Sequence, residues 1–489
     1  MMPAIDLNVF SQLLEPAGIA PAQDFAESGL MICENIPDSQ LRARIRFAMS
    51  PAVRFRRGDS DEIRRLQRHW RTRLSPTIDT GTDELFVSGF EDDDALRDLA
   101  SEAPVIRLVN HLFARALDLN ASDIHFEPGE DYLYVRCRVD GIMHQLERLP
   151  ARISTAVASR LKLMARLDIG EKRLPQDGRI DYRIGGKALD MRVSTLPGVH
   201  GESIVLRILD RGDTSVSLQQ LGMPENILST WQSLINQPHG MILITGPTGS
   251  GKTTTLYATL EKINNNRSKI ITVEDPVEYQ LHGITQIQTN AAIGLNFAAG
   301  LRSIVRQDPD VIMVGEIRDH ETADIAIESA LTGHLVFSTL HTNDAAGAIT
   351  RLQDMGVESY LISSSLLCVM AQRLVRRVCS HCGEQHQITE DEARVLQIRP
   401  EDFPHARKGR GCERCGETGY RGRVGLYELL VMTDAVRHEI ARGADAGSIR
   451  DQAVIDGMKT LRQDALEKLA AGLTTPEEVV RVTRAGAAA

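Results

Sequence analysis

The residues Gly246-Pro247-Thr248-Gly249-Ser250-Gly251-Lys252-Thr253 carry the spacing G-x-x-x-x-G-K-[ST], between an apolar run (Met241 to Ile244) and a helix-compatible stretch. That order suits one chemistry, the binding of a nucleoside triphosphate. The glycines let the backbone turn its N–H groups onto a polyphosphate. A helix beginning near Lys252 adds the positive end of its dipole. Lys252 would reach the β- and γ-phosphates, and the Thr253 hydroxyl would bind Mg²⁺. A glycine-rich turn without a ligand is the plainer reading; the strand before and the helix after argue against it.

Three polar clusters follow in order, each beside an apolar run. Lys269 to Val273 precedes Glu274-Asp275-Pro276-Val277-Glu278, and Val311 to Val314 precedes Gly315-Glu316. A third run lies between His334 and His341. In an open parallel sheet ligands bind beyond the C-terminal strand ends, so three such clusters after one phosphate loop describe a parallel α/β ATPase core.

Cys379-x-x-Cys382 and Cys412-x-x-Cys415 have the spacing of two tetrahedral thiolate knuckles. Four sulfurs would fill every position of a zinc ion, which makes the metal structural. Cys33, Cys137 and Cys368 stand alone and read as core residues. Without an evident export signal, metal is favoured over disulfides.

These residues need elements to hold them. The chain has 489 residues, 42% hydrophobic and 25% charged, which implies several domains of ordinary globular composition. A net charge of −10 and 4% aromatics oppose a nucleic-acid track or a base-stacking platform. No apolar stretch reaches membrane-spanning length; Leu361 to Ala371 comes nearest. We expect a cytoplasmic protein, held at a membrane by partners.

Residues 1–75 read as a partner-docking region. It includes Arg54 to Arg57 and a basic helix from Asp61 to Arg73, most simply a solvated face. Residues 76–97 read as an acidic linker. Residues 98–213 read as an α+β domain, with helices at Ala103 to Ala114 and Arg152 to Leu167. Its strands are Tyr132 to Gly141, Arg179 to Ile184, Lys187 to Thr195 and Glu202 to Leu209. Arg179, Arg192 and Arg207 lie on the later strands. Each alone reads as a surface ion pair, and as a set beside a nucleotide site they gain meaning. Residues 214–239 connect, with a helix from Leu221 to Gln237. Residues 240–489 hold the ATPase domain, including a cysteine subdomain at 375–420 and a helical tail at 425–489.

The phosphate loop, Glu274-Asp275-Pro276, Gly315 to Asp319, the two histidines and the paired cysteines together resemble the secretion ATPase superfamily. Those are the motors of type II secretion, type IV pili and type IV secretion. The wording of Ala103 to Asn110, Met164 to Arg179, Met191 to Pro197 and Thr418 to Arg423 resembles the type II branch, over residues 98 to 484. The resemblance implies a RecA-like P-loop ATPase domain preceded by an α+β (PAS-like) domain, with an inserted four-cysteine zinc subdomain and a helical tail. It implies that Gly246 to Thr254 hold ATP with Mg²⁺, and that Glu316, Glu274 and Asp275 act on the metal or the attacking water. Which glutamate is the general base stays open, strand-end placement favouring Glu316. His334 and His341 look like γ-phosphate sensors. Arg179, Arg192 and Arg207 look like residues reaching a neighbouring or adjacent nucleotide.

The implied assembly is a homo-oligomer, a hexamer, peripheral at the bacterial inner membrane. There it would contact the cytoplasmic domain of the L-type assembly protein and the F-type platform protein, and drive pseudopilus assembly. A type IV pilus extension ATPase, a RecA-like nucleic-acid motor and a nucleotide-binding scaffold without turnover are the competing readings.

Overall fold

The computed structural model describes residues 103–484, apart from 185–186, 211–215 and 266, together with parts of the stretch 14–67. The expected acidic linker and the end of the basic helix, residues 68–73, lie outside the described residues. Two compact units divide the chain: Met1–Phe113 with Pro150–Leu163, and Ala114–Leu149 with Met164–Ala489.

Among its described residues the first unit holds three short strands, β1 (Ile19–Pro21), β2 (Leu30–Cys33) and β3 (Arg54–Arg57). β2 pairs antiparallel with β1 and parallel with β3. Leu14, Ile19, Phe25, Met31 and Val53 form its small core. Helices α1 (Ala103–Asp118) and α2 (Ser154–Ala165) each run from one unit into the other along the sequence.

Among the described residues the second unit contains two large sheets and a small two-stranded one. One is built from β4 (Ala121–Pro128), β5 (Tyr132–Val139), β6 (Ile142–Pro150), β7 (Gln176–Ile184), β8 (Lys187–Gly198) and β9 (Gly201–Asp210), in the order β6-β5-β4-β9-β8-β7. β6 is a strand the sequence reading did not mark. Its alternation is blurred, with a single fully buried residue, Leu146.

After α3 (Glu225–Leu234), the larger sheet follows. Its strands are β10 (Gly240–Thr245), β11 (Ile270–Glu274), β12 (Thr285–Gln288), β13 (Val311–Val314), β14 (Leu335–Leu340), β15 (Leu366–Val378) and β18 (Tyr420–Val431), in the order β12-β11-β13-β14-β10-β15-β18. All neighbours are parallel except β15 and β18. Between those two strands lie β16 (Gly383–Gln385), a helix over Glu390–Leu396 and β17 (Arg407–Gly409). The apolar stretch from Leu361 to Ala371 is split between a helix end and β15.

Strands β10, β13 and β14 are apolar almost throughout because both faces of the sheet are covered. Met241, Leu243, Ile312, Val314 and Val336 point into one core. Ile242, Ile244, Val311, Met313 and Phe337 point into the other. The first core is closed by α5 (Phe297–Ile304), α6 (His320–Leu331), α7 (Ala345–Asp354), α8 (Ser359–Ser365), α10 (Asp434–Ala441) and α11 (Ala446–Ile455). The second is closed by α3 and α4 (Lys252–Ile263). Trp231 of α3 is fully buried there, and its indole N–H donates to Thr259 Oγ1 at 3.1 Å. Truncating such a residue to alanine costs about 3–5 kcal/mol. A third core joins the insertion, with α9 (Glu390–Leu396), to α12 (Leu461–Ala470) and α13 (Pro476–Arg484).

Candidate active site

β10 ends at Thr245, and the following residues turn into the first turn of α4. Thr245 and Thr342 share a hydroxyl–hydroxyl hydrogen bond of 2.7 Å, and the Thr342 N–H donates to Thr245 Oγ1 at 2.9 Å. The root of the loop is thereby tied to the end of β14. Glycine is required at Gly246, where a Cβ would stand 2.4 Å from the Gln372 carbonyl oxygen. It is required again at Gly251, which begins α4 at a φ of 90°.

The Lys252 ammonium is buried under this loop and donates to the carbonyl oxygens of Gly246 at 2.7 Å and Pro247 at 3.2 Å. Burial lowers its pKa to about 8, and the Glu316 carboxylate pulls the other way. Ser250 Oγ is buried with no hydrogen-bond partner among the described residues. An ammonium engaged only by loop carbonyls, an orphan hydroxyl and a helix N-terminus fit a polyphosphate.

Glu316 leaves the C-terminal end of β13. Its carboxylate meets the Arg318 guanidinium, and His341 Nε2 stands 3.3 Å from its other oxygen. Glu316, Arg318, His341, Arg351 and Met355 line a cavity of ≈ 430 Å³. Glu274, the last residue of β11, sits differently. It is buried, and accepts from the Tyr257 hydroxyl, from Thr272 Oγ1 at 2.5 Å and from Gln286 Nε2 at 3.1 Å. Burial and the facing carboxylate push the Tyr257 phenol far up, so it remains a donor. Asp275 is half-exposed, 4.0 Å from Arg318 Nη1.

The structure separates the two histidines. His341 follows β14 at the end that carries Glu316, whereas His334 precedes it. At about 3.3 Å per residue the strand between them spans about 20 Å. His334 Nδ1 lies instead 2.9 Å from the Ser329 carbonyl at the end of α6. Within one chain the structure brings His341, and not His334, to Glu316.

Arg179, Arg192 and Arg207 stand directly opposite one another on β7, β8 and β9, and Asp123 of β4 continues the row. Cross-strand partners share a face of the sheet. Arg192 donates to the Val277 carbonyl at 3.2 Å and stands 3.9 Å from Glu278, in the loop after Glu274. Arg207 Nε donates to Asp123 at 3.0 Å, and Arg179 is exposed.

Cys379, Cys382, Cys412 and Cys415 converge in the insertion, all four sulfurs within 4.8 Å of one another. Separations of 3.9 Å (Cys379–Cys412), 3.8 Å (Cys382–Cys415) and 3.6 Å (Cys412–Cys415) are far beyond a disulfide bond. Four sulfurs each about 2.3 Å from a tetrahedral centre lie about 3.8 Å apart, so the cluster fits one zinc ion. Burial raises the Cys415 thiol, but the N–H groups of Cys412 and Gly419 overcome it and hold its pKa at about 7.

Sequence reading missed Tyr257, Gln286 and Asp123. Tyr257 follows Thr253 by one helical turn, a spacing that sets both on one side of α4. The partners of Gln286 and Asp123 depend on strand register, which no local pattern carries.

A phosphate loop heading a parallel sheet, acidic residues at the neighbouring strand ends and a four-thiol insertion define a P-loop ATPase of the secretion class. The chain belongs to the type II/IV secretion system protein family, whose model matches residues 98–481. It is similar to curated type II secretion proteins. It is 47% identical to type II secretion system protein E of Pectobacterium carotovorum, over 96% of this chain and 91% of that one. It is 45% identical to type II secretion system ATPase E of Vibrio cholerae, over 87% and 83%. Among solved structures it is similar to the Legionella pneumophila ATPase DotB, with a TM-score of 0.57 and 26% identity, over 78% of this chain and 95% of that one. It is also similar to the pilus retraction motor PilT with bound ADP, with a TM-score of 0.51 and 28% identity, over 76% and 95%.

Proposed function

We propose that this chain is the ATPase of a type II secretion machine, hydrolysing ATP so that the energy drives assembly of a pseudopilus. The observation that carries the reading is the buried Lys252 in its phosphate loop beside the Glu316–His341 pair. Gly246, Pro247, Thr248, Gly249, Ser250, Gly251, Lys252, Thr253 and Thr254 hold the nucleotide. Thr253 holds Mg²⁺, which supplies positive charge beside the phosphates. Water attacks the γ-phosphate, and ADP leaves. Glu316 orients that water and takes its proton, and His341 stands behind the carboxylate. Glu274, saturated by three donors, fixes the loop that carries Asp275. Arg192 ties the α+β sheet to that loop, while Arg179 and Arg207 face a nucleotide in an adjacent copy of a hexameric ring. Cys379, Cys382, Cys412 and Cys415 hold structural Zn²⁺. The ring works on the cytoplasmic side of the bacterial inner membrane, bound to L-type and F-type secretion proteins. No helix among the described residues is long and apolar enough to cross a membrane.

The test combines the purified oligomer with the cell. Lys252→Ala should abolish phosphate release and leave exported proteins in the periplasm while surface pili persist. Unchanged hydrolysis overturns the site, and lost pili with continued secretion overturns the machine.

A further inference from the structure

Asp123 carries the one carboxylate in a row that runs Arg138, Asp123, Arg207, Arg192, Arg179 across β5, β4, β9, β8 and β7. It is 5% exposed, and both of its oxygens are engaged. Oδ1 accepts from Arg207 Nε at 3.0 Å. Oδ2 accepts from the Ser122 hydroxyl at 2.7 Å, with Arg138 Nε 3.9 Å away. Arg207 itself is 64% exposed along its side chain. Its Nη1 and Nη2 nitrogens have no partner among the described residues. The guanidinium is thus held by its inner nitrogen and offered by its outer edge.

That arrangement matters because arginine is long and rotamer-rich, and like charges directly opposite repel. An acceptor at Nε removes most of the side chain's freedom while leaving the two-nitrogen fork that matches phosphate oxygens. Arg192 in the same row is held differently, at its outer nitrogens by Val277 and Glu278. The two arginines are therefore arranged for different targets, one within its own chain and one outward.

We propose that Asp123 is a positioning residue, whose buried carboxylate sets the Arg207 guanidinium for the nucleotide phosphates of an adjacent copy. The inference rests on the role given to Arg207 above. Its test uses the full chain, assembled under conditions where wild-type turnover is lost in Lys252→Ala.

Asp123→Ala should lower kcat about tenfold with the KM for ATP within about twofold, since charge positioned for the transition state is lost while ground-state binding persists. Asp123→Asn keeps an acceptor for Nε and should retain turnover within about threefold of wild type. Asp123→Ala added to Arg207→Ala should cost nothing further, the signature of residues acting as one unit. A silent Asp123→Ala, or losses that multiply in the double variant, overturns the proposal. So does an Asp123→Asn that falls as far as the alanine variant, in turnover and melting temperature alike, because charge balance alone would then explain Asp123. If Asp123→Ala does not fold, Asp123→Asn with and without Arg207→Ala decides. Wild-type turnover that survives Lys252→Ala overturns the ATPase reading itself, a result distinct from a silent Asp123.

Discussion

His341 Nε2 lies 3.3 Å from Glu316 Oε2, joining the C-terminal ends of two neighbouring parallel strands at one cavity. An imidazole so placed can share charge with a carboxylate and report on an anion arriving between them. His334, across the length of β14, has no carboxylate partner among the described residues and caps a helix end through the Ser329 carbonyl. We expect His341→Ala to lower kcat by at least about tenfold and His334→Ala by less than about twofold, measured as steady-state phosphate release. Equal losses would return both histidines to one role.

The two glutamates should separate in stability as well as in rate. Glu316→Gln should cut turnover about a hundredfold, with little change in melting, because the side chain lies at a cavity rim. Glu274→Ala strands the donors of Tyr257, Thr272 and Gln286. That should cost about 1–3 kcal/mol in urea unfolding, besides any loss of rate. A Glu274→Ala protein as stable as wild type would contradict the buried network.

Elemental analysis of the full chain should find about one zinc per chain, held by the four thiolates. Cys382→Ser should lose it, and amide hydrogen exchange should then quicken through residues 379–415. Wild-type protein without zinc would remove the metal from the account.

Glu478 ties β15 to the tail, accepting from Arg376 N at 2.8 Å, Arg376 Nε at 3.1 Å and Arg481 Nη2 at 2.7 Å. Burial alone would raise its carboxyl, but hydrogen bonds from Arg481 and Arg376 prevail and hold it below the ordinary value of 4.5. The folded state therefore binds this proton less tightly than the unfolded chain. Its stabilisation is complete above about pH 4.5 and is lost as pH falls through the lowered value. Glu478→Ala should cost about 3 kcal/mol at pH 7. The gap from wild type should narrow in denaturant titrations below pH 4.5.

The motif and the apolar runs beside it were legible because both obey local rules. A parallel strand covered on both faces must be apolar, so Val311 to Val314 could be bounded to the residue. The small strands Ile19–Pro21 and Leu30–Cys33 were not legible, being shorter than any window in which alternation can be told from chance. Nor was the row of arginines. Arg179, Arg192 and Arg207 could be placed on strands from composition, but their alignment with Asp123 is a matter of register between strands far apart in sequence.

β15 continues to Val378, yet its pairing with β10 stops at Ala371. From Gln372 onward it travels with β18 as a two-stranded beam about 23 Å long, clamped along its length to α12 and α13 and leading to the cysteine knuckles. The root of that beam abuts the phosphate loop, because Gly246 packs against the Gln372 carbonyl and Thr255 Oγ1 donates to its side chain at 2.8 Å. A tilt of about 5° at the root, carrying α12 and α13 with it, would sweep the far end through about 2 Å. The four-thiol cluster thus stands at the far end of a beam whose root sits beside the phosphate loop.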